Sequence, residues 1–460
     1  MCGIVGIFNY QDSTIIIVEL LESLKRLQNR GRDSYGVLLS NIAQQIIIKE
    51  IELITIEKIK ELDLHNSKFN IVLGHSRYST SYESLESKIN KENSHPFKGN
   101  HITLGAFHIV HNGNINFSNK IKKSYPEMND TQIMVKMVER VEGSAWLDVI
   151  SNIIKNIPGV YNILLACSDK IYGFKDRYNM RPLCLGSNKF GYCLASESNA
   201  LVNYNYIKEI KGGEIVELSY GGVRNFNILE TPNRICLFEF IYFLNPKSKF
   251  NNKEVFGLRY SLGYELGRNE DYHIDIKNKK DIVVIGSPDT GIPSGIGFAE
   301  SLDIEYQQFF EKNKNRGRSF ILGNDHSRTE ECNKKFLVNP EYSIKDKIVF
   351  FIDDSIVRGN TTARIITLLK EYGAREIHIR ISSPKIIDIC KFGIDIPTKE
   401  ELIMNRMDES GFVKENNIES LRYLELESME RVVGNELNIN RNNFCNGCFS
   451  GKYEKDLLDW

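Results

Sequence analysis

The sequence predicts an α+β domain followed by an α/β domain, because its pattern of strands changes near residue 250. Short alternating or apolar runs fill the first part, and two segments with helical periodicity interrupt them, which fits a layered α+β domain. In the second part, DIVVIGS and KIVFFIDDS are each followed by a loop and a helix, and REIHIRISS supplies a third strand. This alternation predicts parallel βαβ units that bind their ligand at the carboxyl ends of the strands. We expect the boundary between residues 230 and 260.

Each predicted element has its own signal. Apolar residues recur at helical spacing over residues 17–27 before Gly31 stops the segment, and a second helix is expected from residue 131 to about residue 141. In the second domain, helices are expected after PDTGIPSG and through residues 365–369, with a stop near Gly373. The strand-like runs of the first domain are CGIVGIF, NIVLGHSRYS, ITLGAFHIVHNGNI, GVYNILLACSD, KIYGFKD and EIVELSY.

The composition is that of a globular protein with balanced charge. The 460 residues suffice for two or three domains, and 60 acidic against 59 basic side chains give no reason to expect nucleic acid or a membrane surface as partner. No apolar run approaches the ~20 residues of a membrane span. The start MCGIVGIFNY lacks the features of a secretory signal, so we expect a cytoplasmic protein. Its nine cysteines are then expected to be reduced thiols, catalytic groups or metal ligands, and Cys167, Cys184 and Cys193 to be core residues.

The extreme amino terminus carries a candidate nucleophile. Loss of the initiator methionine would give Cys2 a free α-amine, whose reference pKa of ~7.7–8.0 lets it accept the thiol proton near neutrality. HNGNI offers the Asn112 side chain and the Gly113 backbone as donors to a developing oxyanion. Arg77 in GHSRYST suits an α-carboxylate, and Asp130 in MNDTQ suits an α-ammonium group. Such a site would present the side-chain amide of an amino acid to the thiol.

These segments resemble the glutamine-hydrolysing domain of the N-terminal-nucleophile amidotransferases. CGIVGI, LQNRGRDSYG at 27–36, GHSRYST and HNGNI match that family in the same order. The resemblance implies an αββα fold with Cys2 as nucleophile, Asn112 and Gly113 as oxyanion hole, and Arg77 and Asp130 as glutamine-binding residues. The sequence departs from the family at Ser81 and Tyr82 and in SHPF at 94–97. The bulk of Tyr82 bears on affinity for glutamine, and not on the class of reaction.

The second half contains a candidate phosphate loop. In IVFFIDDSIVRGNTT an apolar strand leads to Asp353 and Asp354, then to small and hydroxyl residues, then to a helix. Loop amides and the positive helix end would cradle a 5′-phosphate. The two carboxylates could accept hydrogen bonds from the ribose hydroxyls and help to position Mg²⁺, whereas a bare Asp-Asp pair is usually a solvated turn. The expected phosphate-binding residues are Ser355, Arg358, Gly359, Asn360, Thr361 and Thr362.

This string resembles the type I phosphoribosyltransferases and, over essentially the whole chain, the glutamine phosphoribosylpyrophosphate amidotransferase family. CLFEFIYF, SPDTGIPSGIGFAE, GRSFI, RISSP, FGIDIPTKEEL and CNGCFSGKY match in order. Glucosamine-6-phosphate synthase lacks the DDSIVRG string, and asparagine synthetase would need an ATP pyrophosphatase loop that the sequence does not contain. The resemblance implies a glutaminase domain at 2–235, a phosphoribosyltransferase domain at 250–440 and a tail at 441–460.

The resemblance also implies an activity. Glutamine, phosphoribosyl pyrophosphate and water would give phosphoribosylamine, glutamate and pyrophosphate, the first step of purine synthesis. Mg²⁺ is expected at Thr290, Asp353 and Asp354, purine nucleotides are expected as inhibitors, and a homotetramer or homodimer is usual in the family. A loop from KNKNRGRSF to NKKF is expected to close over the diphosphate. Its cations are Lys312, Arg318, Arg328 and Lys335, and the departures from the family are Lys314, Asn360 and Lys247.

Four cysteines match the iron–sulfur branch of the family. Cys236, Cys390, Cys445 and Cys448 stand at the positions that hold a [4Fe–4S] cluster there. The Cys-x-x-Cys spacing alone leaves a reduced dithiol open, and the four matching positions imply a cluster with a structural role. Two alternatives for the whole chain stay open. One is a paralogue with the same chemistry in a specialised pathway, and the other is a non-catalytic sensor of glutamine or nucleotides.

Overall fold

The computed structural model describes residues 1–55, 67–78, 90–115, 117, 119–157, 159–274, 278–312, 336–396 and 398–453. None of the helices in those ranges is both long and apolar enough to cross a bilayer. The strands of the first half are β1 Gly3–Ser13, β2 Ser34–Ser40, β3 Gln45–Glu50, β4 Phe69–Arg77, β5 Phe97–His101, β6 Gly105–Asn114, β7 Val160–Cys167, β8 Lys170–Lys175, β9 Cys184–Asn188, β10 Gly191–Ala195, β11 Asn205–Glu209, β12 Glu214–Ser219 and β13 Gly222–Asn227.

These strands form two antiparallel sheets. The first has the order β11-β9-β10-β1-β4-β2-β3, and the second has the order β13-β12-β8-β7-β6-β5. The inner faces pack on each other, because Ile4 and Leu73 of the first sheet share one buried cluster with Val110 and Leu164 of the second. In the part of this half that the structure describes, the helices are α1 Ile15–Arg26, α2 Asn119–Ser124, α3 Asp130–Val138 and α4 Trp146–Asn156.

Helices cover both outer faces of this sandwich. Helix α1 packs its apolar side on β1, β2 and β4, and helices α3 and α4 pack on β6 and β7. The strands β1, β4 and β7 therefore read as nearly continuous apolar runs, because both of their faces are buried. The predicted αββα class is confirmed, and the two predicted helices lie at α1 and α3. The strand predicted from Ile102 begins three residues later, at Gly105, because a turn precedes β6.

A short connector joins the halves. It contains β14 Ile235–Cys236, a π-helical turn at Glu239–Phe243, and the hairpin of β15 Lys249–Phe250 with β16 Lys253–Glu254. The second half then comprises β17 Ile282–Gly286, β18 Glu305–Tyr306, β19 Phe310–Lys312, β20 Phe336–Val338, β21 Ile348–Asp353, β22 Glu376–Ile381, β23 Ser420–Tyr423 and β24 Phe444–Cys445. Its helices are α5 Val255–Arg268, α6 Ile292–Leu302, α7 Asn360–Glu371, α8 Ile403–Arg406, α9 Glu409–Asn416, α10 Leu426–Leu437 and α11 Gly447–Ser450.

The central sheet of the second half is parallel, with the order β18-β17-β21-β22-β23. Alternate residues of β17 and β21 face opposite layers: Val283 and Val349 pack against α7, whereas Val284 and Phe350 pack against α5 and α6. The predicted α/β class is confirmed. Helix α7 ends at Glu371, close to the stop expected near Gly373.

The carboxyl-terminal segment returns to the connector. Strand β24 pairs in parallel with β14, so that Phe444 lies opposite Ile235 and Cys445 lies opposite Cys236. The buried cluster around this junction also contains Met1, so residues from the start, the connector and the end of the chain share one core.

Candidate active site

Strand pairing brings Cys2 to the end of the first sheet. Gly3 at the start of β1 lies opposite Ser76 of β4, which places Cys2 beside the residues that end and follow β4. The amide of Tyr78 donates to the Cys2 sulfur at 3.5 Å, and Arg30 Nε donates to the Cys2 carbonyl oxygen at 3.0 Å. Burial raises the pKa of the Cys2 thiol, and the chain's amino terminus, the Tyr78 backbone and Arg77 oppose that rise. The thiol therefore sits in a partly desolvated, electropositive setting.

The structure describes the chain with Met1 in place. Its side chain is buried in the core shared by the connector and the second half. Burial lowers the pKa of its α-amine to about 5, and the positive charges of Arg30 and Arg181 act in the same direction. The amine is therefore neutral at pH 7, as a base must be. It belongs to Met1 here, and it would pass to Cys2 on removal of the methionine.

Asn112 and Gly113 lie at the carboxyl end of β6. They pair with Asn162 and Tyr161 of β7. The side-chain amide of Asn112 is buried, and neither its nitrogen nor its oxygen has a hydrogen-bond partner among the described residues. A Cβ at Gly113 would come within 2.0 Å of the Val160 carbonyl oxygen, so the close strand contact requires glycine. A buried donor without a partner costs free energy, which an oxyanion could recover.

Asp130 is held at the amino terminus of α3. Its carboxylate accepts hydrogen bonds from the amide of Ile115 at 3.1 Å and from the amide of Thr131 at 2.7 Å. It borders a cleft of about 310 Å³. The Asp130 charge raises the pKa of the Cys2 thiol whereas the buried Arg77 lowers it, so both lie within electrostatic range of the sulfur. The cleft is lined by Asn114, Ile115, Phe117, Lys122, Tyr125, Pro126, Met128, Asp130 and Ile133.

Three buried histidines behind this site were missed by the sequence reasoning. His75 contacts the carbonyl oxygen of His111 through Nε2 at 3.1 Å, and the His111 amide donates to Nδ1 of His95 at 3.2 Å. His111 Nδ1 lies 2.8 Å from the hydroxyl of Thr131, which in turn donates to Asp130. Burial lowers the pKa of all three rings. The available signal was one histidine in each of GHSRYST, SHPF and HNGNI.

The candidate phosphate loop follows the carboxyl end of β21. Asp353 ends the strand and Asp354 follows it; both are buried, and the Asp354 amide donates to Asp353 Oδ1 at 2.9 Å. Gly359 precedes α7 with φ of +84°, a conformation that favours glycine. Thr361 and Thr362 lie in the first turn of α7, where the backbone N–H groups have no hydrogen-bond partner within the helix.

The turn after β17 brings Thr290 to the same edge of the sheet. The Ser287 amide donates to the carbonyl oxygen of Ile352 at 2.8 Å. A Cβ at Gly291 would lie 2.5 Å from that same oxygen. Thr290 therefore stands in a turn packed against the residue before Asp353. The oxygen-rich donors fit Mg²⁺ in type. Within the described ranges, no three His, Cys, Asp or Glu side chains converge closely enough to hold an ion by themselves, so substrate oxygens or water would complete the shell.

The predicted cations divide into two groups. Lys312 ends β19 and its Nζ lies 3.0 Å from Asp289 Oδ2, and Arg358 Nε lies 2.7 Å from Glu401 Oε2. Arg318, Arg328 and Lys335 lie outside the described residues, as do Lys314, Ser81 and Tyr82. The structure thus places two of the five cations predicted around the diphosphate and phosphate.

The four matching cysteines lie near the junction of β14 with β24, where Cys236 stands opposite Cys445. Burial and the charges of Cys236, Cys390 and Cys445 raise the pKa of the Cys448 thiol. Burial raises the pKa of Cys445 to about 11. The Phe392 amide donates to the Cys390 sulfur at 3.3 Å. A cubane cluster spreads its four thiolates over four iron atoms, so it does not need the tighter convergence of a single-ion site. The donor set, an N–H···S bond and burial fit such a cluster.

The chain resembles known proteins along its whole length. No family model matches the sequence. The amidophosphoribosyltransferase of Methanocaldococcus jannaschii is 30% identical over 99% of this chain and 98% of its own length. That of Rattus norvegicus is 30% identical over 94% of this chain and 92% of its own.

Two solved structures show the same likeness. The phosphoribosylpyrophosphate amidotransferase of B. subtilis complexed with ADP and GMP has a TM-score of 0.85 at 29% identity, over 98% of this chain and 97% of that chain. A structure described as the allosteric regulatory enzyme of purine biosynthesis has a TM-score of 0.86 at 29% identity, over 98% and 96%. The chain therefore belongs to the amidophosphoribosyltransferase family.

Proposed function

We propose that this protein transfers ammonia from glutamine to phosphoribosyl pyrophosphate, forming 5-phosphoribosylamine, glutamate and pyrophosphate in the first step of de novo purine synthesis. The observation that carries the proposal is the presence, in one folded chain, of a thiol at position 2 within electrostatic range of Arg77 and Asp130, and of two buried aspartates that lead from a parallel strand into a loop and a helix. Full-length similarity to amidophosphoribosyltransferases supports the pairing of these two sites.

In the glutaminase half, the free α-amine of Cys2 would take the thiol proton while sulfur attacks the side-chain carbonyl of glutamine. The Asn112 amide and the Gly113 N–H would stabilise the oxyanion. Arg77 and Asp130 would hold the α-carboxylate and the α-ammonium group. Collapse of the tetrahedral intermediate releases ammonia and leaves a thioester on Cys2, which water hydrolyses to glutamate.

In the phosphoribosyl half, the residues from Ser355 to Thr362 would bind the 5′-phosphate. Asp353 and Asp354 would bind the ribose hydroxyls and, with Thr290, take part in holding Mg²⁺. When bound, Mg²⁺ neutralises charge on the diphosphate. Ammonia would form the bond to C1 of the ribose as the bond to pyrophosphate breaks. The diphosphate cations proposed are Lys312, Arg318, Arg328 and Lys335.

Ammonia needs a protected route between the two sites, because it is protonated in bulk water. Tyr78 contacts Cys2, and Tyr242 interacts electrostatically with Tyr78 and with both aspartates. The Tyr78 amide contacts the Cys2 sulfur and its hydroxyl lies 3.5 Å from Asp395. Burial, the charge of Asp395 and then that of Tyr242 raise the pKa of Tyr78. Burial, followed by the charges of Asp354 and Asp353, raises the pKa of Tyr242 to about 12. These interactions support a route for ammonia along the π-helical turn that contains Tyr242.

We further propose a [4Fe–4S] cluster on Cys236, Cys390, Cys445 and Cys448. The reaction has no redox step, so the cluster would be structural and would join the tail at 441–460 to the connector. Protein purified without oxygen should be brown, contain about four iron atoms per chain and lose activity in air. Cys448→Ser should lose the iron, whereas Cys193→Ser should keep it. A colourless, iron-free and fully active wild type would refute the cluster.

The remaining proposals concern organisation and control. The B. subtilis structure contains ADP and GMP, and we propose that purine nucleotides also inhibit this protein. We propose a cytoplasmic homo-oligomer, a tetramer or dimer, and the domain division 2–235, 250–440 and 441–460.

The decisive experiment measures glutamate and pyrophosphate with each substrate alone and with both. Wild type should release both glutamate and pyrophosphate only when glutamine and phosphoribosyl pyrophosphate are both present. Cys2→Ala should lose all glutamine use but still release pyrophosphate with ammonia, and Cys167→Ala, a buried thiol away from the site, should behave as wild type. Absence of pyrophosphate with either nitrogen donor would contradict the proposal.

A further inference from the structure

The motif LQNRGRDSYG contains a buried arginine that the reaction scheme does not use. Arg30 is fully buried and makes four polar contacts. Its Nε donates to the Cys2 carbonyl oxygen, Nη1 lies 2.9 Å from Glu197, and Nη2 lies 2.8 and 3.0 Å from the two oxygens of Glu239. The arginine thus joins the backbone of the nucleophile to two buried carboxylates.

Glu239 comes from the connector and not from the glutaminase sandwich. It is the first residue of the π-helical turn, and its Oε1 also accepts from Arg181 at 3.4 Å. The turn is fixed from the other side by Arg259 of α5, which donates to the carbonyl oxygens of Phe240 and Leu244, each at 2.7 Å. The position of the Glu239 carboxylate is therefore set by the second half of the molecule.

We propose that Glu239 is a positioning residue for glutamine hydrolysis, acting through Arg30 on the carbonyl group of Cys2. Without the Glu239 carboxylate, the buried guanidinium group would lose one of its two charge partners and keep Glu197 alone. It would move toward water or toward Glu197 and release the Cys2 carbonyl. The sulfur and its amine lie on that same residue, so small displacements would misalign the attack. This inference rests on the proposed role of Cys2.

The contact with Glu239 differs from that with Glu197 in a way that favours the first as the positioning group. Glu197 divides its oxygens among Asn29, Arg30, Asn245 and Ser248. Glu239 instead places both of its oxygens on Nη2 of Arg30, so that its carboxylate and that of Glu197 on Nη1 together hold the guanidinium group in place. The position of the guanidinium group determines the direction in which Nε points at the Cys2 carbonyl oxygen.

The test compares Glu239→Gln with Glu217→Gln, a buried carboxylate that binds Arg224 and Tyr172 in the outer part of the second sheet. Glu239→Gln should lower kcat for glutamine about 10- to 100-fold, because small misplacements of reacting groups have effects of that size. KM for glutamine and ammonia-dependent pyrophosphate release should stay within about twofold of wild type. Glu217→Gln should leave all three values unchanged.

Glu239→Asp keeps the charge and should recover part of kcat; it carries the test if Glu239→Gln does not fold. A wild-type kcat in both Glu239 variants, or an equal loss of glutamine- and ammonia-dependent activities, would overturn the inference. A wild type that releases no glutamate would instead overturn the proposed role of Cys2.

Discussion

The two candidate sites of this protein are built in opposite ways. Around Cys2 the polar groups are buried: Asn112 is 1% exposed and Arg77 is 6% exposed. At the phosphate loop the cations are open to solvent, with 34% of the Lys312 side chain and 46% of the Arg358 side chain exposed. The first site depends on orientation within a closed core. The second site presents positive charge that is exposed to solvent and accessible to a negatively charged substrate.

The difference follows from the elements that carry each site. Asn112 and Gly113 belong to β6, whose pairing with β7 fixes them on a central strand. Arg358 follows a strand and belongs to a loop, where it already pairs with Glu401. A phosphate that binds to Arg358 would therefore have to displace a carboxylate, whereas an oxyanion that binds to Asn112 would take an unused hydrogen-bonding position.

Asn112→Ala gives the largest expected effect and tests the closed site directly. Loss of one oxyanion donor should lower kcat for glutamine about 10²- to 10³-fold and spare ammonia-dependent synthesis. Steady-state assays with each nitrogen donor measure both. Asn70→Ala is the matched control, because Asn70 is equally buried on β4 but binds Tyr220 away from Cys2. Near-normal glutamine turnover in Asn112→Ala would remove the main distinction between the two sites.

Arg358→Gln tests the open site and should change binding more than turnover. A charge-assisted hydrogen bond to phosphate contributes about 1.5–3 kcal/mol, so KM for phosphoribosyl pyrophosphate should rise roughly 10- to 100-fold. Initial rates over a range of substrate concentration separate KM from kcat. Arg364→Gln, on α7 with its partner Glu371, serves as control. An unchanged KM would exclude Arg358 from the phosphate site.

The buried histidines make the closed site sensitive to acid. Burial keeps the pKa of His95 well below 6.5 in the fold, so the unfolded chain takes up its proton first as pH falls. Stability is thus lost as pH drops below 6.5, by about 2 kcal/mol per such histidine at pH 5. Denaturant unfolding at pH 7 and pH 5 measures the loss. His95→Gln should reduce it by that amount, and equal losses in wild type and His95→Gln would contradict this account.

Much of this architecture could be predicted from local patterns, and what was missed depends on long-range contacts. A parallel sheet, and the edge at which it would bind a ligand, are predicted by the apolar runs of β17 and β21 and by the loop after Asp353. The glutaminase motifs likewise mark Cys2 and Asn112. Nothing in the sequence shows that His75, His95 and His111 meet, because they lie on three separate segments whose packing against one another no local pattern reveals.

The ion pairs could not be predicted either, because they also join separate segments of the chain. Glu239 and Arg30 are 209 positions apart, and Arg358 and Glu401 are 43 apart. A charged residue in an apolar string such as CLFEFIYF signals a buried partner, since an unpaired buried charge is costly. The string does not say which partner. Cations in exposed loops give an even weaker signal, because most of them are only solvated.

Glu401→Gln should change KM and stability less than the substitutions above. Its result shows how far the open site differs from the closed one. Exposed ion pairs contribute about 0–1 kcal/mol, so the free energy of unfolding should change by no more than that. Without its carboxylate, Arg358 would no longer have to exchange a protein partner for phosphate, and KM for phosphoribosyl pyrophosphate should fall by up to about fivefold. Glu409→Gln, which removes the exposed partner of Lys385, is the control. A rise in KM would mean that Glu401 holds Arg358 in its binding position, and the open site would then be pre-organised as the closed one is.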